Sequence, residues 1–154
     1  MGNVSRRMYR WTFGVLLTGA LAIIAMPAMA QRTDYYYGPN HDFTYPCFGY
    51  TGTFKAGSRI ALVDWQQDGS VDECFGIAPD SKGKTIWHAW RNSGGWKEMP
   101  HNGHADDTGA GYRHSNGNRY FTVSVEVRYE VYEDWESTYS NNAWGPWYRF
   151  YGAD

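Results

Sequence analysis

A regular alternation of side-chain types constrains the fold of this chain more than any other feature. Between Tyr120 and Glu133, every second residue from Phe121 to Val131 is apolar or aromatic, and the residues between them are mostly polar. A repeat of two is that of a β-strand, whose successive side chains point to opposite faces of a sheet. Valine and aromatic residues also suit a pleated surface. The pattern predicts one long strand over 120–133, with one face on a core and one in water.

Further strands are predicted along the chain, separated by breaks rich in Gly, Asn and Asp. The pattern favours strands in 43–50, 59–65, 71–77, 85–91, 96–99 and 144–151. Asp68-Gly69 is typical of a tight hairpin turn, and 100–118 is predicted to be a long loop. Pro146 lacks an amide hydrogen, so the closing strand is expected to begin there or to lie at a sheet edge. About seven strands with no helix signal predict an all-β domain, a small antiparallel β-sandwich or partly open barrel.

Residues 1–30 have the composition of an export signal. Arginines near the start precede an uncharged, mostly apolar run, and Ala-Met-Ala at 28–30 matches the pattern that signal peptidase cuts. The apolar run of about 15 residues is short for a bilayer span, which needs roughly 20. The sequence predicts removal of 1–30 and a secreted, single β-domain over 31–154, with a retained anchor as the alternative. Adjacent Arg6 and Arg7 fit both the twin-arginine and the general secretory route.

The charge balance of the mature chain argues against two classes of partner. Three of the 14 lysines and arginines lie in residues 1–30, whereas all 16 acidic residues lie beyond them. The mature chain therefore carries 11 basic and 16 acidic residues, a net charge of −5 with neutral histidine. Nucleic acids and anionic membranes both require clustered Lys and Arg. We expect neither nucleic acid nor, after signal cleavage, a membrane as partner.

Cys47 and Cys74 are the only cysteines in the sequence. An even number of cysteines in an exported chain favours a disulfide. Closing the loop between them would stabilise the fold by about 3.5 kcal/mol. The alternatives are two buried free thiols and a zinc site, which would need further ligands near the two thiols.

The mature chain is rich in aromatic residues, and its tryptophans cluster. Ile86, His88 and Trp90 share one face of the strand 85–91, and Trp87 shares the other face with Ala89. A Trp on each face suggests that one of them is exposed. Exposed aromatic rings stack on sugar rings or anchor protein partners. We therefore predict a ligand-binding platform formed by Trp87, Trp90, Trp96 and Trp147; filling of the core by these rings is the alternative.

Two segments resemble metal sites in part. His101, His104 and Asp106 offer imidazole and carboxylate ligands of the kind that hold catalytic zinc, but Asn102-Gly103 places them on no helix face. Residues 64–72 begin like a calcium loop with Asp64, yet Phe75 stands where the bidentate Glu should be. The sequence thus indicates no metal site and no cofactor, with the two histidines and Asp106 as the weak candidates.

Catalytic motifs are lacking in the sequence. A carboxylate pair for glycoside hydrolysis would have to come from the acidic residues Glu126, Glu130, Glu133, Asp134 and Glu136. The first two lie on the predicted polar face of the long strand. The chain has no Gly-x-Ser-x-Gly elbow and no phosphate-binding loop. We therefore predict no catalytic residues.

The segment Cys-Phe-Gly-Ile-Ala-Pro at 74–79 and Gly-His-Ala at 103–105 resemble the small secreted α-amylase inhibitors of streptomycetes, the tendamistat type. The resemblance implies a disulfide-bonded β-sandwich and an inhibitory role. Two departures stand against this family's pattern. The family has two disulfides, whereas this chain allows one. Its inhibitory Trp-Arg-Tyr precedes the hairpin, whereas Trp90-Arg91-Asn92 follows it and lacks the Tyr.

Together these features predict a secreted, non-catalytic binding or inhibitory protein that uses an aromatic surface. The expected partner is a protein, such as an extracellular hydrolase, or a carbohydrate, as for a carbohydrate-binding module. A small metal-dependent hydrolase built around His101, His104 and Asp106 is the alternative from a different class. The sequence does not predict the oligomeric state.

Overall fold

The computed structural model describes residues 32–151, and the predicted export signal lies outside them. The described residues form β-strands and one 3-10 turn, Asp80–Lys82, with no α-helix. The strands in chain order are β1 Arg32–Tyr37, β2 Phe43–Cys47, β3 Tyr50–Phe54, β4 Arg59–Asp64, β5 Glu73–Ile77, β6 Ile86–Trp90, β7 Lys97–Glu98, β8 Asp107–Arg113, β9 Arg119–Arg128, β10 Val131–Ser140 and β11 Ala143–Phe150. Over this span the chain has no helix long and apolar enough to cross a membrane.

The strands within 32–151 form three antiparallel sheets. The central sheet has the order β1-β4-β5-β6-β7, the outer sheet has the order β11-β10-β9-β8, and β2 and β3 form a separate cover hairpin. All pairings between these strands are antiparallel. The prediction of an all-β fold of antiparallel sheets is confirmed, and the sheets do not close into a barrel.

The main core lies between the central and outer sheets. Phe75 on β5 stacks on Phe121 on β9 with ring centroids 3.7 Å apart, and both side chains are fully buried. Trp65 and Trp144 pack against the same cluster. Burial of such side chains is the dominant stabilising term in a fold of this size.

A second core lies between the central sheet and the cover hairpin. Phe43 and Phe54 from the hairpin pack there with Ile60 and Ala89 from the central sheet. Strand β5 is therefore buried on both faces. The disulfide between Cys47 and Cys74 joins the cover hairpin to β5, which confirms the predicted bond.

The structure corrects several predicted boundaries. The predicted strand 120–133 is two strands, β9 and β10, because the chain turns at Tyr129 and Glu130. The predicted loop 100–118 contains β8, which pairs with β9. The segment 43–50 splits into β2 and the first residue of β3. The hairpins β4–β5 and β6–β7 match the prediction, and β11, which holds Pro146, is an edge strand as expected.

Glycine in β8 permits the close approach of the two sheets. A Cβ atom built on Gly111 would lie 2.6 Å from Val63 Cγ1 and 2.7 Å from Trp65 Cη2. Any larger residue there would push β8 away from the central sheet. The low strand propensity of Gly at this position is outweighed by that packing requirement.

Candidate functional site

A cleft of about 490 Å³ opens at one end of the sandwich, between the central and outer sheets. We call it the aromatic cleft. The central sheet contributes residues from the start of β5 and the end of β6, and the outer sheet contributes residues from β9, β10 and the start of β11. Its lining consists of Asp72, Glu73, His88, Trp90, Arg91, Pro100, Arg119, Tyr139, Asn142, Ala143 and Trp144.

A buried network of hydrogen bonds forms the floor of the cleft. Nδ1 of His88 lies 2.6 Å from Oε1 of Glu73, and Nε1 of Trp65 donates to Oε2 of Glu73 at 2.8 Å. Glu73 is 4% exposed and His88 is 6% exposed. Both oxygens of the carboxylate are therefore engaged, as a buried charged group requires.

Strand register explains why two polar side chains lie in the core. Phe75 pairs with His88, and Glu73 pairs with Trp90, so these four residues point from the central sheet toward the outer sheet. Glu73 and His88 are diagonal neighbours on that face, within reach of each other. The network therefore occupies core positions at the end of the sandwich.

The hydrogen bond with Glu73 sets the chemistry of His88. Where the carboxyl of Glu73 is ionised it can only accept a hydrogen bond, and Nδ1 of His88 is then the donor. Among the described residues, the only buried side-chain nitrogen or oxygen without a partner is Nε1 of Trp147. Nε2 of His88 makes no hydrogen bond to residues 32–151, and it is not among the buried atoms without a partner. It is therefore exposed to the cleft that His88 lines. The floor thus presents one oriented imidazole nitrogen to a ligand.

Aromatic rings form the walls of the cleft. Trp90 is 38% exposed, and its ring centroid lies 4.8 Å from that of His88. Tyr139 is half-buried on the opposite wall and packs on the buried Trp144. The site therefore combines exposed ring surface with a fixed polar floor.

Four side chains of the cleft lining are ionisable. Asp72 accepts hydrogen bonds from the backbone amide and the side-chain amide of Gln66. The guanidinium of Arg91 lies 5.7 Å from the ring centroid of Phe48, and that of Arg119 lies over two other rings. Together with Glu73, the cleft holds two carboxylates and two guanidinium groups.

The structure distributes the four tryptophans of the predicted platform over three clefts. Trp87 and Trp96 meet in a cleft of about 230 Å³ beside the cover hairpin. Trp96 is only 8% exposed there, and its Nε1 donates to the carbonyl oxygen of Tyr50. Trp90 lines the aromatic cleft, and Trp147 lines a third cleft with Val123, Val125 and Trp135. The four tryptophans therefore do not share one surface. A ligand role for each of them stays a prediction.

The weak metal candidates have other partners. Nε2 of His101 is hydrogen-bonded to the carbonyl oxygen of Trp144, and Nδ1 of His104 to that of Gly83. Asp106 accepts a hydrogen bond from Lys84 at 2.6 Å. Within 32–151, no group of three His, Cys, Asp or Glu side chains is placed to hold a metal ion.

The calcium-like segment 64–72 is the turn of the β4–β5 hairpin. The carboxylate of Asp64 accepts hydrogen bonds from the backbone amides of Asp68 and Gly69. The Asp68 carboxylate accepts one from Ser70. The acidic residues thus serve the turn itself, as Asp commonly does.

Sequence reasoning identified Trp90 but missed the floor beneath it. The signal was present, because Glu73 alternates with Phe75 and Ile77 along a strand, on the face that those two residues bury. A charged residue at a core position needs a partner, and His88 occupies the core face of the next predicted strand.

Comparisons with protein family models, with curated proteins and with solved structures give no significant match for this chain.

Proposed function

We propose that the protein is an exported, non-catalytic binding protein that holds a carbohydrate in the aromatic cleft. The observation that carries this proposal is the position of Trp90, whose partly exposed ring lies at the cleft beside the fixed imidazole of His88. Indole rings stack on the apolar faces of sugars, and adjacent polar groups bind their hydroxyls. The Cys47–Cys74 bond fits the proposed export, because disulfides persist in oxidising compartments.

The shape and size of the cleft support a small ligand. Its volume of about 490 Å³ falls within the range of about 300–1,000 Å³ that is usual for ligand sites. A concave surface with aromatic walls and a few fixed polar groups is also typical of such sites. A sugar ring stacked on Trp90 would lie beside the imidazole of His88, in a cleft that Asn142 also lines.

The cleft chemistry favours binding over catalysis. Its lining residues include no serine, threonine or cysteine that could act as a nucleophile. Both oxygens of Glu73 are occupied by Trp65 and His88, and Asp72 is held by Gln66. Both carboxylates of the cleft thus accept hydrogen bonds from within the fold.

The test is titration of the purified mature protein with neutral and acidic oligosaccharides, followed by calorimetry. Trp90→Ala should lose about 2 kcal/mol or more of binding free energy, since truncation of an anchor residue has that cost. Trp87→Ala is the matched control, because Trp87 lies on the same strand but faces the cover hairpin. Binding by no sugar, or equal loss in the two variants, would contradict the proposal.

One observation favours a second candidate, inhibition of an extracellular hydrolase. The tip of the β9–β10 hairpin exposes Val127, Tyr129, Val131 and Tyr132, with Tyr129 84% exposed. Clustered exposed apolar side chains commonly mark protein interfaces. Inhibition assays against secreted α-amylases, with Tyr129→Ser/Tyr132→Ser as the comparison, test this candidate. Inhibition that survives the double substitution would remove the hairpin tip from consideration.

A further inference from the structure

Arg119 has an unusual position in the aromatic cleft. Its guanidinium carbon lies 5.6 Å from the ring centroid of Trp65 and 5.3 Å from that of Tyr139. Contacts with ring faces fix a guanidinium in place without using its N–H donors. Arg119 is half-buried and lies at the start of β9, opposite Tyr139 in the sheet. The group is therefore both held and available for hydrogen bonding.

No carboxylate of the described chain forms an ion pair with Arg119 or with Arg91. The two carboxylates of the cleft already have partners. Glu73 is bound by His88 and Trp65, and Asp72 is bound by Gln66. In the cleft, the carboxylate oxygens thus accept hydrogen bonds from the protein, whereas the two guanidinium groups form no ion pair with it.

Arg59 is a similar arginine whose N–H donors have acceptors within the protein. Its guanidinium also lies over an aromatic ring, 4.8 Å from the centroid of Tyr35. Unlike Arg119, it also donates to Asp107 at 2.7 Å and to the carbonyl oxygen of Thr108. A partly buried cation gains most from such charge-assisted bonds. Arg119 has the aromatic contacts of Arg59 but not its anion.

We infer that the carbohydrate bound in the aromatic cleft carries an anionic group, a uronate carboxylate or a sulfate ester, and that Arg119 binds that group. This inference rests on the proposed function and specifies its ligand class. The planar fork of a guanidinium matches two oxygens of one such group. Arg91, at the same cleft, adds a second positive charge near the ligand.

The experiment compares sugars that differ only in charge. Calorimetric titrations use hexameric oligogalacturonate, oligoglucuronate and oligomannuronate, each beside its methyl ester, together with a sulfated and an unsulfated galactan oligomer. We expect at least one anionic sugar to bind about tenfold or more tightly than its neutral partner. The uronate and sulfate arms identify which anionic group the cleft prefers. This comparison needs no variant, so misfolding cannot affect it.

Variants then assign the preference to Arg119. Arg119→Gln should bind the acid and its ester equally, and Arg119→Lys should retain part of the preference because it keeps the charge but not the fork. Arg128→Gln, an exposed cation on β9 beyond the cleft, is the control and should behave as the parent. Thermal melting in the same buffer verifies that each variant is folded.

Two results would overturn the inference. In one, the parent binds neutral and anionic sugars equally; in the other, Arg119→Gln keeps the full preference. Under either result the proposed function stands if Trp90→Ala still loses binding. Absence of binding to every sugar in both charge states would instead overturn the proposed function and this inference together.

Discussion

Glu73 and His88 form a buried pair on adjacent strands, with Oε1 and Nδ1 2.6 Å apart and Trp65 donating to the second carboxylate oxygen. Both residues occupy positions that alternation assigns to the core. Removing a charge from water is costly, so a buried carboxylate persists when both of its oxygens have donors, as those of Glu73 do. The pair therefore links the stability of the sandwich end to the shape of the aromatic cleft.

The first prediction concerns this pair. Glu73→Ala should reduce the free energy of unfolding by about 3–5 kcal/mol, because it leaves His88 and Trp65 without their buried acceptor. Glu98→Ala, an exposed Glu on the edge strand β7 of the same sheet, should change it by no more than about 0.5 kcal/mol. Urea denaturation followed by Trp fluorescence measures both. A small loss of unfolding free energy in Glu73→Ala would contradict the buried hydrogen bonds of Glu73 with His88 and Trp65.

A double substitution separates the pair from simple packing. Glu73→Leu/His88→Leu should be less destabilised than the sum of its single variants, because the double variant no longer leaves one member of the pair without the other. Nε1 of Trp65 loses its acceptor in Glu73→Leu and in the double variant alike, so this loss cancels in the comparison. Additive losses would contradict the coupling between the two side chains.

The second prediction concerns the disulfide. Cys47 and Cys74 are separated by 27 positions, so the bond restricts a sizeable loop of the unfolded chain. We expect the double Cys47→Ala/Cys74→Ala variant to lose about 3.5 kcal/mol of unfolding free energy, on the loop-closure argument. Mass spectrometry of the unreduced parent should give a mass two hydrogens below that of its dithiol form. Free thiols at both positions would contradict the bond.

Local sequence patterns predicted the sheets better than their turns. The alternation through 120–133 correctly indicated strand, but the reversal at Tyr129 and Glu130 contains no Gly or Asn to mark it. Glu130 adopts a positive φ of 56° there, and its amide donates to Glu126 Oε1. Strand β8 was missed for the opposite reason. Its glycines suggest a loop, whereas Gly111 is required by the packing of the two sheets.

The candidate site was only partly predictable, because it is assembled from two sheets. Alternation placed Trp90 and His88 on one face of β6, and the structure agrees. The sequence could not show that Arg119 and Tyr139 would face them across the sandwich, since this depends on how the sheets pack. For the same reason, Trp87 and Trp147 could not be assigned to separate clefts from the chain alone.

The third prediction distinguishes two residues that share one face of the β9 pattern. Phe121 stacks on Phe75 in the main core, whereas Val127 is about half-exposed. Phe121→Ala should cost about 3–5 kcal/mol, as core aromatic truncations do. Val127→Ala should change stability by about 0.5 kcal/mol or less. Urea denaturation of the two variants tests this, and equal losses would mean that the hairpin is packed along its whole length.

The fourth prediction is a pH dependence centred on Asp106. Burial acts to raise the pKa of its carboxyl. Hydrogen bonds from Nζ of Lys84 and from the amide of Glu126, together with the positive charges of Lys84 and Lys55, outweigh burial, so the pKa is below its ordinary value. The hydrogen bond to Asp106 raises the pKa of Lys84. Because the carboxyl pKa is lowered by folding, its contribution to stability is present above the unfolded pKa of about 3.9. It is lost as the pH falls through the folded pKa.

Asp106→Asn should therefore melt below the parent at pH 7, and the difference should shrink as the pH falls below about 3.9. Lys84→Met removes the same contact from the other side and should show the same narrowing in acid. In the parent, folding raises the pKa of Lys84, so the stability that Lys84 provides is also lost at high pH, as the pH rises through its folded pKa. Melting temperatures of the parent and both variants from the acid to the alkaline range measure both effects. A difference that stays constant down to the lowest pH would show that the ion pair does not contribute to folding stability.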